Sequence, residues 1–162
     1  MASVYISTAD AVVTAINAGV SAGSFIRSFE AARGYDVTAD LEDLYGQLRV
    51  DVVPAPIPGG INSRGGFVYQ PQIDIGIRYK FGQPDENNQG LIQLGEIDAY
   101  VELLEQINEH LRSAAYRRLP AYTSACCMKS EIRAPWIQKH LLAWRQYTGL
   151  LRLTYFVEKD LS

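Results

Sequence analysis

Polar and apolar residues alternate most regularly over residues 67–81, FVYQPQIDIGIRYKF. Phe67, Tyr69, Ile73, Ile75, Ile77, Tyr79 and Phe81 fall on odd positions, and Gln70, Gln72, Asp74, Gly76, Arg78 and Lys80 on even ones. A period of two places one set on a buried sheet face and the other toward water. Read as one strand, the stretch reaches ~50 Å at ~3.3 Å per residue, whereas an ordinary strand has about five or six residues. Such a strand must outrun its own core or pair with something else. Ile73, Ile75 and Ile77 are expected to anchor the core, which leaves the aromatic ends to meet neighbours.

Other segments carry weaker versions of the two periods. Ala9, Val12, Val13 and Ile16 recur at spacings of three and four and predict a helix over 8–18, with Ser7 or Thr8 as cap. Residues 25–35, FIRSFEAARGY, fit a strand. Residues 40–44 fit a helical turn with Leu41 and Leu44 inward. Leu48, Val50 and Val52 alternate with Arg49 and Asp51, so 48–53 is a strand. It is expected to form an extended hairpin with 67–81 across the loop 54–66. That loop holds Pro54, Pro56, Pro58 and four glycines; prolines stop a ladder, and loops this long are usually functional.

After the polar loop 82–89, the stripe Ile97, Val101, Leu104, Ile107 and Leu111 predicts a helix over 94–116, with Glu96, Asp98, Glu102, Glu105 and Glu109 outside it. Residues 123–132 read as a weak strand, 135–144 as a short helix with proline in its first turn, and 150–157 as a closing strand. Two main helices over one face of a largely antiparallel, twisted sheet with a long hairpin make an α+β architecture, and no linker divides residues 1–162 into more than one domain.

Composition narrows the function. The chain has 162 residues, a net charge of −3 and 48% hydrophobic residues, which suits a globular core and gives no overall attraction to nucleic acid or anionic membrane. Arg117–Arg118 reads as a solvated helix end. Cys126 and Cys127 are adjacent and the only cysteines, so no disulfide framework is expected and a reducing compartment is. No secretory leader or membrane span is expected.

The chemistry-bearing residues do not form a recognisable constellation. His110 and His140 lack metal-ligand spacing and read as solvated helix residues. The acidic residues of the long helix follow its solvated face, or meet a basic neighbour in an assembly. The loop around Arg64 lacks a phosphate-binding motif. Tyr69, Tyr79 and Tyr155 fall on predicted buried faces, as packing rather than a base-stacking platform. No catalytic residue, cofactor or metal is expected. The rival from another class is a small thiol-dependent hydrolase using Cys127 with His110 or His140.

Taken in order, DAVVTAINAG, SFIRSFEAARGY, LEDLYGQLRVDVVPA, YQPQIDIGIRYKF, IDAYVELLEQINEHL and YTGLLRLTYFV span most of residues 10–157. This succession resembles the tail terminator (tail-completion) proteins of the phage head–tail junction. The resemblance lies in hydrophobicity and turn placement. It implies an α+β subunit of a six-fold ring at the head-proximal end of the tail tube, one that ends tube polymerisation and joins tail to head. The implied partners are further copies, the tail-tube protein and the head-completion or connector protein. No membrane or specific nucleic-acid sequence is implied, and the location is the virion, reached from host cytoplasm. The nearest alternative is a head-completion or neck adaptor that binds the portal. The PAPIPGG loop and the cysteine pair depart from the family pattern. The expected subunit or partner interface comprises Arg64, Phe67, Tyr69, Tyr79, Phe81, Asp85 and Glu86.

Overall fold

The computed structural model describes residues 3–55, 66–82, 92 and 94–160, with Gly66, Phe67 and Asp160 as backbone only. In chain order the elements are α1 (Val4–Ser21), β1 (Ala31–Arg33), β2 (Leu48–Pro54), β3 (Gly66–Tyr69), β4 (Gln72–Lys80), α2 (Leu94–Arg112), β5 (Ala125–Ala134), α3 (Gln138–Trp144) and β6 (Gln146–Asp160). The fold is α+β. The six strands form one sheet, antiparallel except where β1 runs parallel to β2.

The long strand is β6, with 15 residues, not 67–81. The predicted single strand is interrupted at Gln70–Pro71, because proline has no N–H to give to the ladder. The register nevertheless runs through the break. Gly66 to Tyr69 pair with Asp160 to Val157, and Gln72 to Lys80 pair with Thr154 to Gln146. Pro71 contributes only its carbonyl, which accepts from the Tyr155 N–H at 2.9 Å. β3 and β4 are therefore one ribbon laid along β6. The expected hairpin forms between β2 and β4, from Leu48↔Tyr79 to Pro54↔Ile73. β5 lies along the opposite side of β6, with register shifts between Cys127 and Lys129 and between Ile132 and Ala134.

One face of this sheet is dry. Val50, Val52, Ile73, Ile75, Ile77, Leu151, Leu153, Tyr155 and Val157 on it are all buried. α1 packs over β1, β2 and β4, and α2 over β5, β6 and α1. Val12, Ala15 and Ile16 of α1 and Leu103, Leu104, Ile107 and Leu111 of α2 complete the core. The buried stripe of α2 also takes in Tyr100 and Leu103, while Ile97 and Val101, predicted on the stripe, are only partly buried against it. Full burial of each such aliphatic side chain is worth about 1.5–3 kcal/mol.

Several local expectations are corrected. α1 starts at Val4 after Ser3, so Ser7 and Thr8 lie inside it, where the Thr8 hydroxyl donates to the Val4 carbonyl at 2.7 Å. Only Ala31–Arg33 of the segment 25–35 is strand; Phe25 and Phe29 instead stack against each other at 5.6 Å. Residues 40–44 make a hydrogen-bonded turn rather than a helical one, with Leu41 buried and Leu44 39% exposed. α3 begins three residues after Pro135, because the Ile137 N–H is taken by the Thr148 carbonyl of β6 at 3.0 Å.

Candidate assembly surfaces

The second face of the sheet differs from the first in kind. Asp51, Arg78, Lys80, Gln146 and Thr148 point to it and are buried. The segment 35–46 covers them through polar contacts. Arg78 bonds Asp51 at 2.6 Å and the Ala39 carbonyl at 3.0 Å. Lys80 pairs with Asp40, and Gln146 accepts from the Leu41 N–H at 2.8 Å while donating to the Ala39 carbonyl at 3.2 Å. Val37 lies on Gly76 so closely that a Cβ there would overlap its side chain. Burial works to raise the Asp40 carboxyl, but its bonds from Lys80 and the Glu42 N–H outweigh that and hold it below the usual carboxylate range.

The rest of this face is open. Asp74 and Arg152 form a bidentate pair at 2.7 and 2.9 Å. Beside it lies a shallow hollow of about 190 Å³ lined by Gln72, Lys129, Glu131, Arg133, Arg152 and Thr154. A larger hollow of about 590 Å³ opens between α2 and α3. It is lined by Ile92, Ile97, Trp136, Gln138, Leu141, Leu142 and Arg145. Trp136 there is 50% exposed and Leu142 78% exposed, and Leu94 of α2 is also 78% exposed. Apolar side chains gathered at a surface in this way are a mark of interaction sites, and nothing in their spacing announced them, because α3 is too short for a readable period.

The expected interface residues are not gathered in one place. Arg64, Asp85 and Glu86 lie outside the described residues, and Phe67 is described only by its backbone in β3. Tyr69 is half-buried beside the break in the ribbon, edge-on to Tyr5 of α1 at 6.4 Å. Tyr79 is half-buried and stacks on Tyr100 at 4.7 Å. Phe81 is only 5% exposed and packs edge-on to Tyr79 at 5.2 Å, inside the molecule's own core.

The two histidines are not solvated. His140 is buried, with Nδ1 2.8 Å from the Thr148 hydroxyl and its ring on Trp144. Burial and the Lys139 charge lower its pKa against the opposing pull of Asp40. His110 is half-buried, with Nε2 2.8 Å from the Ala15 carbonyl and its ring between Phe25 and Tyr116. Cys127 is buried, and its sulfur contacts Arg112 at 3.7 Å and the Lys129 carbonyl at 3.6 Å. Burial raises its thiol pKa despite Arg112, which lowers the thiolate fraction needed for attack. Neither histidine is among the contacts of its sulfur.

Among the described residues no group of three or more His, Cys, Asp or Glu side chains is placed to hold a metal ion, and no helix is long and apolar enough to cross a membrane. Compared with known proteins, the chain matches no family model and no curated sequence.

Proposed function

We propose that this chain is a structural subunit of a tailed-phage virion: a tail terminator that forms a ring, six-fold as the resemblance implies, at the head-proximal end of the tail tube, ends its polymerisation and presents a docking surface to the head. The observation that carries the reading is the apolar hollow lined by Trp136, Leu141 and Leu142, in which Trp136 and Leu142 stay exposed although the hydrophobic core is already buried beneath the sheet's helices. A closed ring needs heterologous contacts, in which one surface of a subunit meets a different surface of the next. An apolar hollow of this kind suits one half of such a contact. The order of segments over residues 10–157 adds the resemblance to terminators.

Isolated tails and isolated heads from the same phage test the assignment. The chain is expected to co-purify with tails. Recovery with heads and portal alone would instead make it a neck adaptor, and recovery with neither would remove it from the junction.

A further inference from the structure

Two edges of the sheet, at β1 and at β5, are finished differently. At β1, Asn17 of α1 closes the edge: its Nδ2 donates to the Ala31 carbonyl at 3.1 Å and its Oδ1 accepts from the Ala31 N–H at 2.8 Å. At β5 only the first part is closed. There the Leu119 N–H donates to the Ala125 carbonyl at 3.1 Å and the Cys127 N–H to the Arg117 carbonyl at 2.7 Å.

Beyond Cys127 the edge is open. The Tyr155 N–H points toward β3 and β4, where it meets Pro71, so Leu153 and Leu151 point the same way and Thr154 and Arg152 point toward β5. Lys129 and Glu131, opposite Thr154 and Arg152, therefore turn their backbone groups inward to β6. Ser130 and Ile132 turn theirs outward, and no backbone partner meets them among the described residues. The two register shifts bracket this stretch. Bulges and charged side chains are devices that blunt an edge against indiscriminate pairing. Here they leave a short, regular window.

We propose that residues 129–131 of β5 pair antiparallel with the same residues of a second copy, about a two-fold axis at Ser130. The charge pattern selects both the partner and the register. With Ser130 opposite Ser130 of the second copy, each Lys129 faces a Glu131. The register two residues further, centred on Glu131, sets Glu131 against Glu131 and Lys129 against Arg133, and directly opposed like charges are destabilising. The Ser130-centred register places outward backbone groups against outward backbone groups, as a ladder requires. Glu131 lies 3.6 Å from Arg133 within the subunit, but both side chains are 48% exposed, and such a surface pair is weak enough to give way. The contact uses one surface twice, so it is distinct from ring contacts and does not rest on the terminator reading.

Sedimentation velocity of the full chain over a concentration series tests this contact. The expected result is a concentration-dependent dimer. Lys129→Glu and Glu131→Lys, each alone, should weaken it about tenfold or more, because two cross-strand pairs turn from attractive to repulsive. The double variant Lys129→Glu/Glu131→Lys should restore it. Ser130→Cys should also cross-link under mild oxidation, since hydrogen-bonded pairs hold their Cα atoms at about 5.5 Å, within disulfide range. A monomer at every concentration, or a dimer indifferent to both single reversals, would overturn the contact. A six-fold particle unmoved by the reversals would overturn it too, while leaving the ring reading standing. A dimer that obeys the charge swap in a protein absent from tails would support the contact and remove the ring.

Discussion

The two faces of the sheet are built from opposite materials. On the helix-covered face, Ile75 and Leu151 pair within a wholly apolar layer. On the other, the Asp51–Arg78 pair and Lys80 are also buried, under a loop held by the Lys80–Asp40 ion pair and by Arg78 donating to the Ala39 carbonyl. The lesson is about specificity. Apolar burial is non-directional and tolerates any side chain of similar volume. The charged layer accepts one arrangement of the segment 35–46 and disfavours others, because a buried charge without its partner is costly.

The largest expected effect comes from breaking the charged layer on one side only. Asp51→Ala leaves the Arg78 guanidinium buried and short of a partner, and should destabilise the fold by about 3–5 kcal/mol in urea unfolding. Asp51→Leu with Arg78→Met should recover most of that loss. If the double variant were no better than the single one, the charged layer would not be the coupled unit described. On the dry face, Ile75→Ala should cost about 2–5 kcal/mol, whereas Ile75→Leu should cost under about 1.5 kcal/mol. Gly76→Ala sits between the two faces in effect: its methyl group would meet Val37, and about 1–3 kcal/mol is expected from overpacking. Limited proteolysis within 35–46 should rise at the same time.

Acid should separate the faces without mutation. His140 packs against Thr148 and Trp144, near Lys139 and Asp40, and its pKa lies below the ordinary 6.5. The unfolded chain therefore takes up the proton first as pH falls. Stability tied to His140 is fully present above the unfolded value and is lost as pH drops from about 6.5 toward the folded value. Asp40, held below its ordinary 3.8, contributes stability above that value and loses it only in stronger acid. The urea midpoint should thus fall between pH 7 and pH 5, and His140→Gln should flatten that slope. The smallest effect belongs to the open part of the charged face: Arg152→Ala removes a partly exposed pair and should cost about 1 kcal/mol or less. A loss as large as that of Asp51→Ala would erase the distinction between its covered and open halves.

The dry face was the more legible of the two. Strict alternation in 48–53 and 72–80 located β2, β4 and the three central isoleucines. The same alternation overran at Pro71, where a missing N–H interrupts the ladder while the register continues. β6 exceeds its predicted span because its ends, Gln146 to Gly149 and Glu158 to Asp160, are polar or small and carry no apolar period. The segment 25–29 fits more than one period, and its two phenylalanines satisfy themselves by stacking. The charged layer could not be read locally: Asp51, Arg78 and Lys80 look like an ordinary wet face until the segment 35–46 covers them. His140 gave no signal for the same reason, since its partner Thr148 comes from β6. Of the expected interface, the alternation put Tyr69, Tyr79 and Phe81 on the same parity as the core isoleucines, but it could not show how far each is buried, and Phe81 is covered by Tyr79 and by Tyr100 of α2.

The central proposal is that this chain ends the growth of a tail tube. Tail-tube protein polymerised with and without the chain, and examined by electron microscopy, tests it most directly. A ring at one end of each tube and shorter tubes as more chain is added are expected, with Trp136→Asp and Leu142→Asp abolishing both effects. Tubes of unchanged length with bare ends would contradict it.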